Sequence, residues 1–258
     1  MTTNDYLIQL QLDKENLKLN LEAKGVKVLD TDTFTEMSQK VNEIETGGGD
    51  LSEYFTETIG AGTSAISGYM KTIKKMPAFK NTGTNCEYMF TNYFLETLDL
   101  SKFDTSNVTS MSNMFQKCEN IKTLDLSNWN TPNLLTLYYT FAHCTALKIL
   151  NVSNFNTSKV TNMNYTFYNC KSLETLDLSN WNTPTLMNTR QMFDGCEKLN
   201  RLDIRNFDFT NVTSNYTNMF RNVPADCLII VADETAKTWI TEKFTNLTNV
   251  KTVAELEA

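Results

Sequence analysis

The sequence has a single histidine, His143, among 258 residues, and it nowhere has eighteen consecutive apolar residues. Without such a run, no segment is predicted to cross a membrane as a helix. The formal net charge of −7 and the lack of a long basic stretch argue against a nucleic-acid partner, because phosphate binding needs clustered Lys and Arg. The first residues have no basic segment followed by an apolar one, so no secretory signal is predicted, and the chain is expected to be made in a cytoplasm and to stay soluble.

What the sequence does have is a repeat of 26 residues, in which five apolar positions keep the same phase. Such a period indicates coils that stack on one another, because a single coil cannot bury its own apolar side. The strand position holds Leu98, Leu124, Leu150, Leu176 and Leu202, and the corner position holds Phe103, Trp129, Phe155, Trp181 and Phe207. A second aromatic position holds Phe115, Phe141, Phe167 and Phe193, and then slips by one residue to Phe220.

The spacing within one unit predicts its local structure. Leu124-Asp125-Leu126 alternates as a strand with one buried face does, and residues 127–132 are rich in turn formers. Apolar residues three and four apart between Met111 and Phe115 predict a short helical or 3₁₀ turn. The sequence thus predicts an α/β solenoid of 26-residue coils whose strands form a parallel β ladder. Asparagine side chains at the corners are expected to bond backbone groups between coils: Asn107, Asn130, Asn156 and Asn182.

Four of the six cysteines, Cys118, Cys144, Cys170 and Cys196, also recur every 26 residues. A residue type fixed by its place in the repeat serves packing, and small thiols are among the most buried side chains. Reduced, buried cysteines are therefore expected, with disulfide pairing as the alternative.

The spacing also predicts how the chain is divided. A degenerate first coil begins at Ile73, and a strand at residues 228–231 followed by a helix from Glu234 to about Phe244 is expected to cover the last coil. The predicted parts are a helical attachment module (1–46), a linker with an N-terminal cap (47–72), the solenoid (73–226) and a C-terminal cap (227–258).

The predicted N-terminal module contains two helices. Residues 5–24 form the first, which Gly25 ends, although Leu17, Leu19 and Leu21 also alternate as in a strand. Residues 33–36 match a capping box that begins the second. The apolar residues that then keep helical spacing are the candidate attachment residues: Phe34, Met37, Val41 and Ile44.

Residues 176–183 (LDLSNWNT) and 103–109 (FDTSNVT), the latter followed by Met114-Phe115, resemble the BspA-type leucine-rich repeats, which include the lipoprotein repeats of mycoplasmas. The resemblance covers roughly residues 73–231 and implies a leucine-rich-repeat solenoid used for adhesion or protein contact. Residues 22–26, 34–37 and 40–44 resemble short helical modules that open tail, baseplate and head-fibre proteins of phages of Gram-positive bacteria. That second resemblance implies a virion component assembled in the host cytoplasm.

The outward side of the strand ladder is the candidate binding surface. Stacked carboxylates there repel by about 1 kcal/mol per pair in water, and are therefore expected to attract a cation or a polar ligand, unless they are only solvated consensus residues. Its positions are Thr97, Thr123, Ile149, Thr175 and Arg201; Asp99, Asp125, Asn151, Asp177 and Asp203; and Ser101, Ser127, Ser153, Ser179 and Arg205. Arg201 and Arg205 are expected to offset the negative charge locally.

No catalytic motif emerges from the sequence, so neither enzymatic activity nor a cofactor is expected. There is no glycine-rich phosphate motif and no metal-ligand spacing. His143 adjoins Cys144, but it takes the place that Lys117, Asn169 and Gly195 have in other units. It is predicted to be a surface loop residue, and a Cys-His dyad is the alternative.

The function predicted from these features is that of a non-enzymatic phage virion protein. Its N-terminal module would bind other virion proteins or further copies of the chain, and its solenoid would bind a host-surface glycan or protein. A bacterial surface adhesin is the alternative.

Overall fold

The computed structural model describes residues 84–93, 96–101 and 103–258. Several predicted features lie outside the described residues: the two N-terminal helices, the attachment residues Phe34, Met37, Val41 and Ile44, the linker at 47–72, and the start of the first coil at Ile73.

The described chain is a parallel β-solenoid with coils of 26 residues, as predicted. Leu124 pairs with Leu150 and Leu176 with Leu202, so one coil lies one period from the next. The leucines are buried and the residues beside them mostly face solvent. The coil strands are β1 (Thr123–Asp125), β2 (Ile149–Asn151), β3 (Thr175–Asp177) and β4 (Arg201–Asp203).

The C-terminal residues continue the sheet beyond the last coil. The predicted strand and helix are confirmed as β5 (Leu228–Val231) and α1 (Glu234–Lys243), and the sequence had not indicated β6 (Val250–Thr252) or α2 (Val253–Glu257). Strands β3, β4, β5 and β6 form one parallel sheet, and β1 and β2 form another. Asp233 caps α1 and a capping box at Thr252 and Glu255 begins α2.

Helix α1 covers the apolar end of the solenoid with its aromatic side. Trp239 stacks on Phe209 with ring centroids 4.4 Å apart, and Phe244 meets Phe220 edge to face at 5.0 Å. These contacts bury rings that the final coil would otherwise expose. In the part of the chain that the structure describes, no helix has the length and apolar character needed to span a membrane.

Of the two alternatives predicted between Met111 and Phe115, the helical one is wrong: these residues form consecutive single turns, with a bond of the 3₁₀ type between residues three apart. Asn113 has a φ of 56°, and its N–H donates to the Tyr138 carbonyl of the next coil at 2.9 Å. The Met114 N–H instead donates to the Met111 carbonyl at 3.1 Å. A left-handed residue cannot continue a right-handed helix, so the chain alternates bonds within and between coils.

Each coil has two positions with positive φ near these turns. We call the surface of the solenoid that carries them the turn face. The first position holds Tyr88, Asn113, Tyr139, Tyr165, Gln191 and Asn218, and the second holds Asn92, Lys117, His143, Asn169, Gly195 and Asn222. A second line of parallel bridges precedes them, through Asn85, Ser110, Thr136, Asn162, Asn188 and Asn215. The solenoid therefore has two hydrogen-bonded faces, of which the sequence predicted only the one formed by the strands.

Aromatic rings fill the interior in two continuous stacks. The second aromatic position stacks at centroid distances of 5.3 to 5.6 Å from Phe90 through to Phe220. The corner position stacks from Phe103 through Trp129 and Trp181 to Phe207 at 5.4 to 6.3 Å. Because these rings are almost fully buried, stacking coil on coil removes a large apolar area from water.

Polar side chains connect the coils at fixed places. The Asn128 side-chain amide donates to the Ser101 carbonyl of the preceding coil at 2.8 Å, and Asn154, Asn180 and Asn206 repeat this bond. These asparagines stand two residues before the predicted Asn130, Asn156 and Asn182. The predicted residues contribute their backbone carbonyls instead, which accept from Thr105, Thr131 and Thr157.

All six cysteines are free and buried, which confirms the packing interpretation. Each repeat cysteine donates its thiol to a backbone carbonyl of the preceding coil. The acceptors of Cys118, Cys144, Cys170 and Cys196 are Phe90, Phe115, Phe141 and Phe167, at 3.1 to 3.2 Å.

Candidate binding surfaces

The predicted binding residues form the strand face of the solenoid, the surface outside β1 to β4. The residues before the buried leucines, Thr97, Thr123, Ile149, Thr175 and Arg201, are all exposed. Asp125, Asn151 and Asp177 are exposed as well, and Asp99, Ser127, Ser153, Ser179 and Arg205 are partly so. Ser101 is exposed at the first described strand position. Whether this face binds a ligand stays a prediction.

The Asp or Asn side chain at this position of the strand face accepts a backbone hydrogen bond in each described coil. The Asp125 side chain accepts the backbone N–H of Ser127 at 3.0 Å, which closes the turn that ends the strand. The same bond recurs at Asp99, Asn151, Asp177 and Asp203. Because Asn151 serves as well as an aspartate, the turn needs the oxygen acceptor and not the charge.

Asp203 corrects the prediction that the whole acidic column faces outward, because it is only 4 % exposed. The Arg205 guanidinium contacts its carboxylate at 2.5 Å, and the Arg201 guanidinium approaches at 3.8 Å. The two arginines therefore cover and pair with the carboxylate, as expected from their charge. β5 also lies beside Asp203, which pairs with Ile230.

The electrostatics of Asp177 show how these groups act together. Partial burial opposes its ionisation, but hydrogen bonds from Ser179 and the charges of Arg205 and Arg201 outweigh burial and hold its pKa below the usual value. Among the residues that the structure describes, no group of three or more His, Cys, Asp or Glu side chains is placed to hold a metal ion.

The geometry at His143 separates it from Cys144. The Cys144 thiol points inward to the Phe115 carbonyl, and burial raises its pKa well above the usual value, so that it stays protonated. The His143 ring lies on the turn face, where it meets the Tyr168 ring edge to face at 5.1 Å. An inert thiol and a ring on the opposite side of the backbone do not form the pair that nucleophilic catalysis needs.

His143 belongs to a compact group of aromatic side chains on the turn face. We call Tyr138, Tyr139, Tyr165, Tyr168 and His143 the tyrosine cluster. The rings of Tyr139 and Tyr165 stack at 4.3 Å, and Tyr138 meets Tyr139 edge on at 4.7 Å. Tyr168 meets Tyr165 edge on at 5.7 Å. The five side chains are all partly exposed, so the cluster is a continuous aromatic surface across two coils.

Polar groups surround the tyrosine cluster. The Arg190 guanidinium carbon lies 5.9 Å from the centroid of the Tyr165 ring, and the Asn169 amide is 3.5 Å from His143 Nδ1. Burial, followed by the charge of Lys117, lowers the pKa of His143, which keeps the imidazole neutral at pH 7. Burial and the neighbouring tyrosines raise the pKa of Tyr139 to about 12, so its hydroxyl stays a donor.

The tyrosine cluster was not found from the sequence, although a signal for it exists. At the place of Tyr138, the other coils have Ser112, Asn164, Arg190 and Thr217, and at that of Tyr139 they include Asn113 and Gln191. Tyr88 also stands at the place of Tyr139, but among the described coils only the two with Tyr138, Tyr139, Tyr165 and Tyr168 bring several aromatic residues together. A column-by-column search for departures at polar positions would have found them.

Comparison with known protein families identifies the repeat. A family model described as "Mycoplasma protein of unknown function, DUF285" matches residues 63–149, 84–176 and 135–255. The chain belongs to this family. The matches overlap and together span more than half of the chain, as successive copies of a stacked coil would.

Membership of the DUF285 family fits the BspA-type resemblance and a solenoid with a binding or structural role. The phage-like resemblance of residues 22–44 lies outside the matched residues and stays a prediction. No curated protein and no solved structure matches the chain.

Proposed function

We propose that this chain is a non-enzymatic binding protein, in which the solenoid is a rigid frame for a recognition surface on its turn face. The tyrosine cluster is the observation that carries the proposal. Each coil needs its buried leucine, phenylalanine and cysteine to pack on the next, but no coil needs a tyrosine at the two positions held by Tyr138 and Tyr139. Tyrosine and arginine are also the residue types that dominate binding energy at protein surfaces.

The test compares binding by the full chain and by a variant with Tyr139→Asn and Tyr165→Asn. Asparagine is the residue that Asn113 and Asn218 place at the same left-handed position, so the variant is expected to fold. Ile149→Thr is the matched control, because it gives the strand face the residue type of Thr123 and Thr175. We expect the tyrosine variant to lose adsorption to target cells and the control to keep it. If the control loses adsorption and the tyrosine variant keeps it, the strand face and not the turn face is the binding surface.

The finer part of the proposal is that the chain is a phage virion component, in the tail, baseplate or head fibre. Its support is the resemblance of the N-terminal residues to phage attachment modules. Residues 1–46, with Phe34, Met37, Val41 and Ile44, would bind other virion proteins or further copies of this chain. Sedimentation of the full chain and of a chain that starts at residue 47 tests this: only the full chain should associate. Two equally monomeric proteins would contradict it.

A bacterial surface adhesin is the second candidate, and the family match favours it because the family is described from a mycoplasma, which is a cellular bacterium. The choice of target cell separates the two candidates. A virion protein should adsorb to walls of Gram-positive bacteria, whereas an adhesin should adsorb to animal cells. Adsorption to one and not the other, lost in the tyrosine variant, decides between them.

A further inference from the structure

We infer that the tyrosine cluster is a carbohydrate-binding site that takes the pyranose rings of a surface glycan, an inference that rests on the proposed function. A pyranose presents C–H bonds on its face and hydroxyls around its rim. The positive C–H hydrogens pack on the negative face of an aromatic ring, and the hydroxyls need donors and acceptors nearby. The tyrosine cluster offers both kinds of group.

The aromatic part of the site spans neighbouring coils. Tyr139 and Tyr165 stand one period apart with their rings nearly parallel, at an interplanar angle of 21°. Tyr138 lies edge on to both, at 4.7 and 6.2 Å. The rings hold one another in place, so little side-chain entropy is lost when a ligand packs against them.

The polar part of the site consists of groups suited to hydroxyls. The Asn169 amide and His143 Nδ1 contact each other at 3.5 Å, and the second imidazole nitrogen and the rest of the amide are the polar groups that remain for hydroxyls. Arg190 offers donors over the face of the Tyr165 ring, and the Asn164 side-chain oxygen fixes its backbone by accepting the Arg190 N–H at 2.7 Å.

The backbone adds an independent argument. Tyr139 and Tyr165 have φ values of 56° and 60°, in the left-handed region that disfavours bulky side chains. Asn113 and Asn218 stand at the same position in other coils, and asparagine tolerates this conformation well. Tyr88 has the same conformation outside the cluster, so tyrosine is not unique to the cluster at this position, but Asn113, Gln191 and Asn218 show that the turn does not require an aromatic ring.

Other classes of ligand fit less well. Nucleic-acid bases also stack on tyrosines, but their backbone requires a basic groove, and the chain has a net charge of −7. A stable protein interface buries about 800 Å² per partner around an apolar centre. The exposed aliphatic side chains nearest in sequence, Leu135 and Met187, stand two repeat periods apart from each other.

The first experiment probes the full chain, made multivalent on streptavidin, on a printed array of bacterial-wall and animal-surface oligosaccharides. Multivalency is needed because a flat aromatic site binds single sugars weakly. We expect binding to a subset of the glycans and its loss in the Tyr139→Asn, Tyr165→Asn variant. An array on which no glycan binds the wild-type chain overturns the inference.

The second experiment measures affinity for the strongest array tetrasaccharide by calorimetry. Tyr165→Asn should weaken binding at least about tenfold, whereas Tyr165→Phe, which keeps the ring, should stay within about threefold of wild type. Ile149→Thr on the strand face should bind as the wild type does. Equal affinities of the Asn and Phe variants would contradict stacking on the ring.

A third measurement separates this inference from the proposed function. Target cells are treated with periodate, which oxidises glycans, or with protease before adsorption. Loss of adsorption after periodate alone supports the glycan site. If adsorption is lost after protease alone and is also lost in the tyrosine variant, the turn face is the binding surface but its ligand is a protein and not a glycan. If the tyrosine variant adsorbs as well as the wild type, the result contradicts both the glycan site and the proposed recognition role of the turn face.

Discussion

The thiol of Cys144 donates to the backbone carbonyl of Phe115 in the preceding coil, with Sγ 3.2 Å from the oxygen. Cys170 makes the same bond to Phe141, also at 3.2 Å. These buried thiols stay protonated, because burial raises the pKa of Cys144 well above the usual value and that of Cys170 to about 12. The column is therefore a chemically inert part of the core whose contribution to stability depends on pH.

The first prediction is that the protein becomes less stable in alkali. The stabilising contribution of Cys170 is complete below 9.0, the pKa of an unperturbed thiol, and is lost as the pH rises through about 12. Within that window, each such thiol lowers the free energy of unfolding by up to about 1.4 kcal/mol per pH unit. Urea unfolding at successive pH values measures this. Cys170→Ala should show a shallower pH dependence, and an identical slope in the two proteins would contradict the prediction.

The second prediction concerns Thr189, whose buried side-chain hydroxyl has no hydrogen-bond partner. Met111, Leu137 and Met163 stand at the same place in the preceding coils. Thr189→Val should raise the free energy of unfolding by about 1 kcal/mol, because valine keeps the shape and removes the unpaired polar group.

Thr166→Val is the control for this change, measured in the same urea series. The Thr166 hydroxyl donates to the Leu137 carbonyl at 3.0 Å or the Met163 carbonyl at 2.8 Å, so its removal should destabilise the protein. Equal effects of the two substitutions would show that the Thr189 hydroxyl is satisfied.

The third prediction is that Gly195→Ala destabilises the solenoid by about 1–2 kcal/mol. Gly195 has a φ of 79°, and an added Cβ would lie 2.2 Å from Asn169 Oδ1 and 3.2 Å from Asn169 Cα. The reverse change at the same repeat position, Lys117→Gly, should leave stability unchanged or raise it. The stabilities of both variants are compared by thermal unfolding. If Gly195→Ala is as stable as the wild type, the turn relaxes to accommodate the added Cβ.

The fourth prediction is that Arg205→Ala lowers stability by about 1–2 kcal/mol, because it leaves the buried Asp203 carboxylate with Arg201 alone at 3.8 Å. The loss is smaller than for a fully buried pair, because the Arg205 side chain is 37 % exposed. Asp203→Asn should recover part of the loss when it is combined with Arg205→Ala. A double-mutant cycle with zero coupling would contradict the pairing.

Much of the core was predictable from the sequence. Leu124, Phe141 and Cys170 could be placed inside because each recurs at a fixed period, and a side chain that every coil repeats is one that every coil buries. The C-terminal strand and α1 followed from an apolar run and from helical spacing. β6 was not predictable, since residues 250–252 form a strand only because β5 offers an edge to pair with.

The turn face shows where sequence reasoning stops. The apolar spacing from Met111 to Phe115 fits a helical turn and a pair of successive turns equally well, and the sign of φ at Asn113 decides between them. Nothing in hydrophobic periodicity encodes that sign, and the residues there include Tyr139 and Tyr165, which are not typical of left-handed positions.

The sequence alone determined the period, the inward columns and the parallel stacking of coils, because burial of the same side chains in each unit leaves few other arrangements. Only the tertiary structure decided that Asp203 is covered by its arginines and that four tyrosines and a histidine meet on one surface. Contacts of that kind join residues of different coils or depend on left-handed turns, so they exist only once the coils have packed.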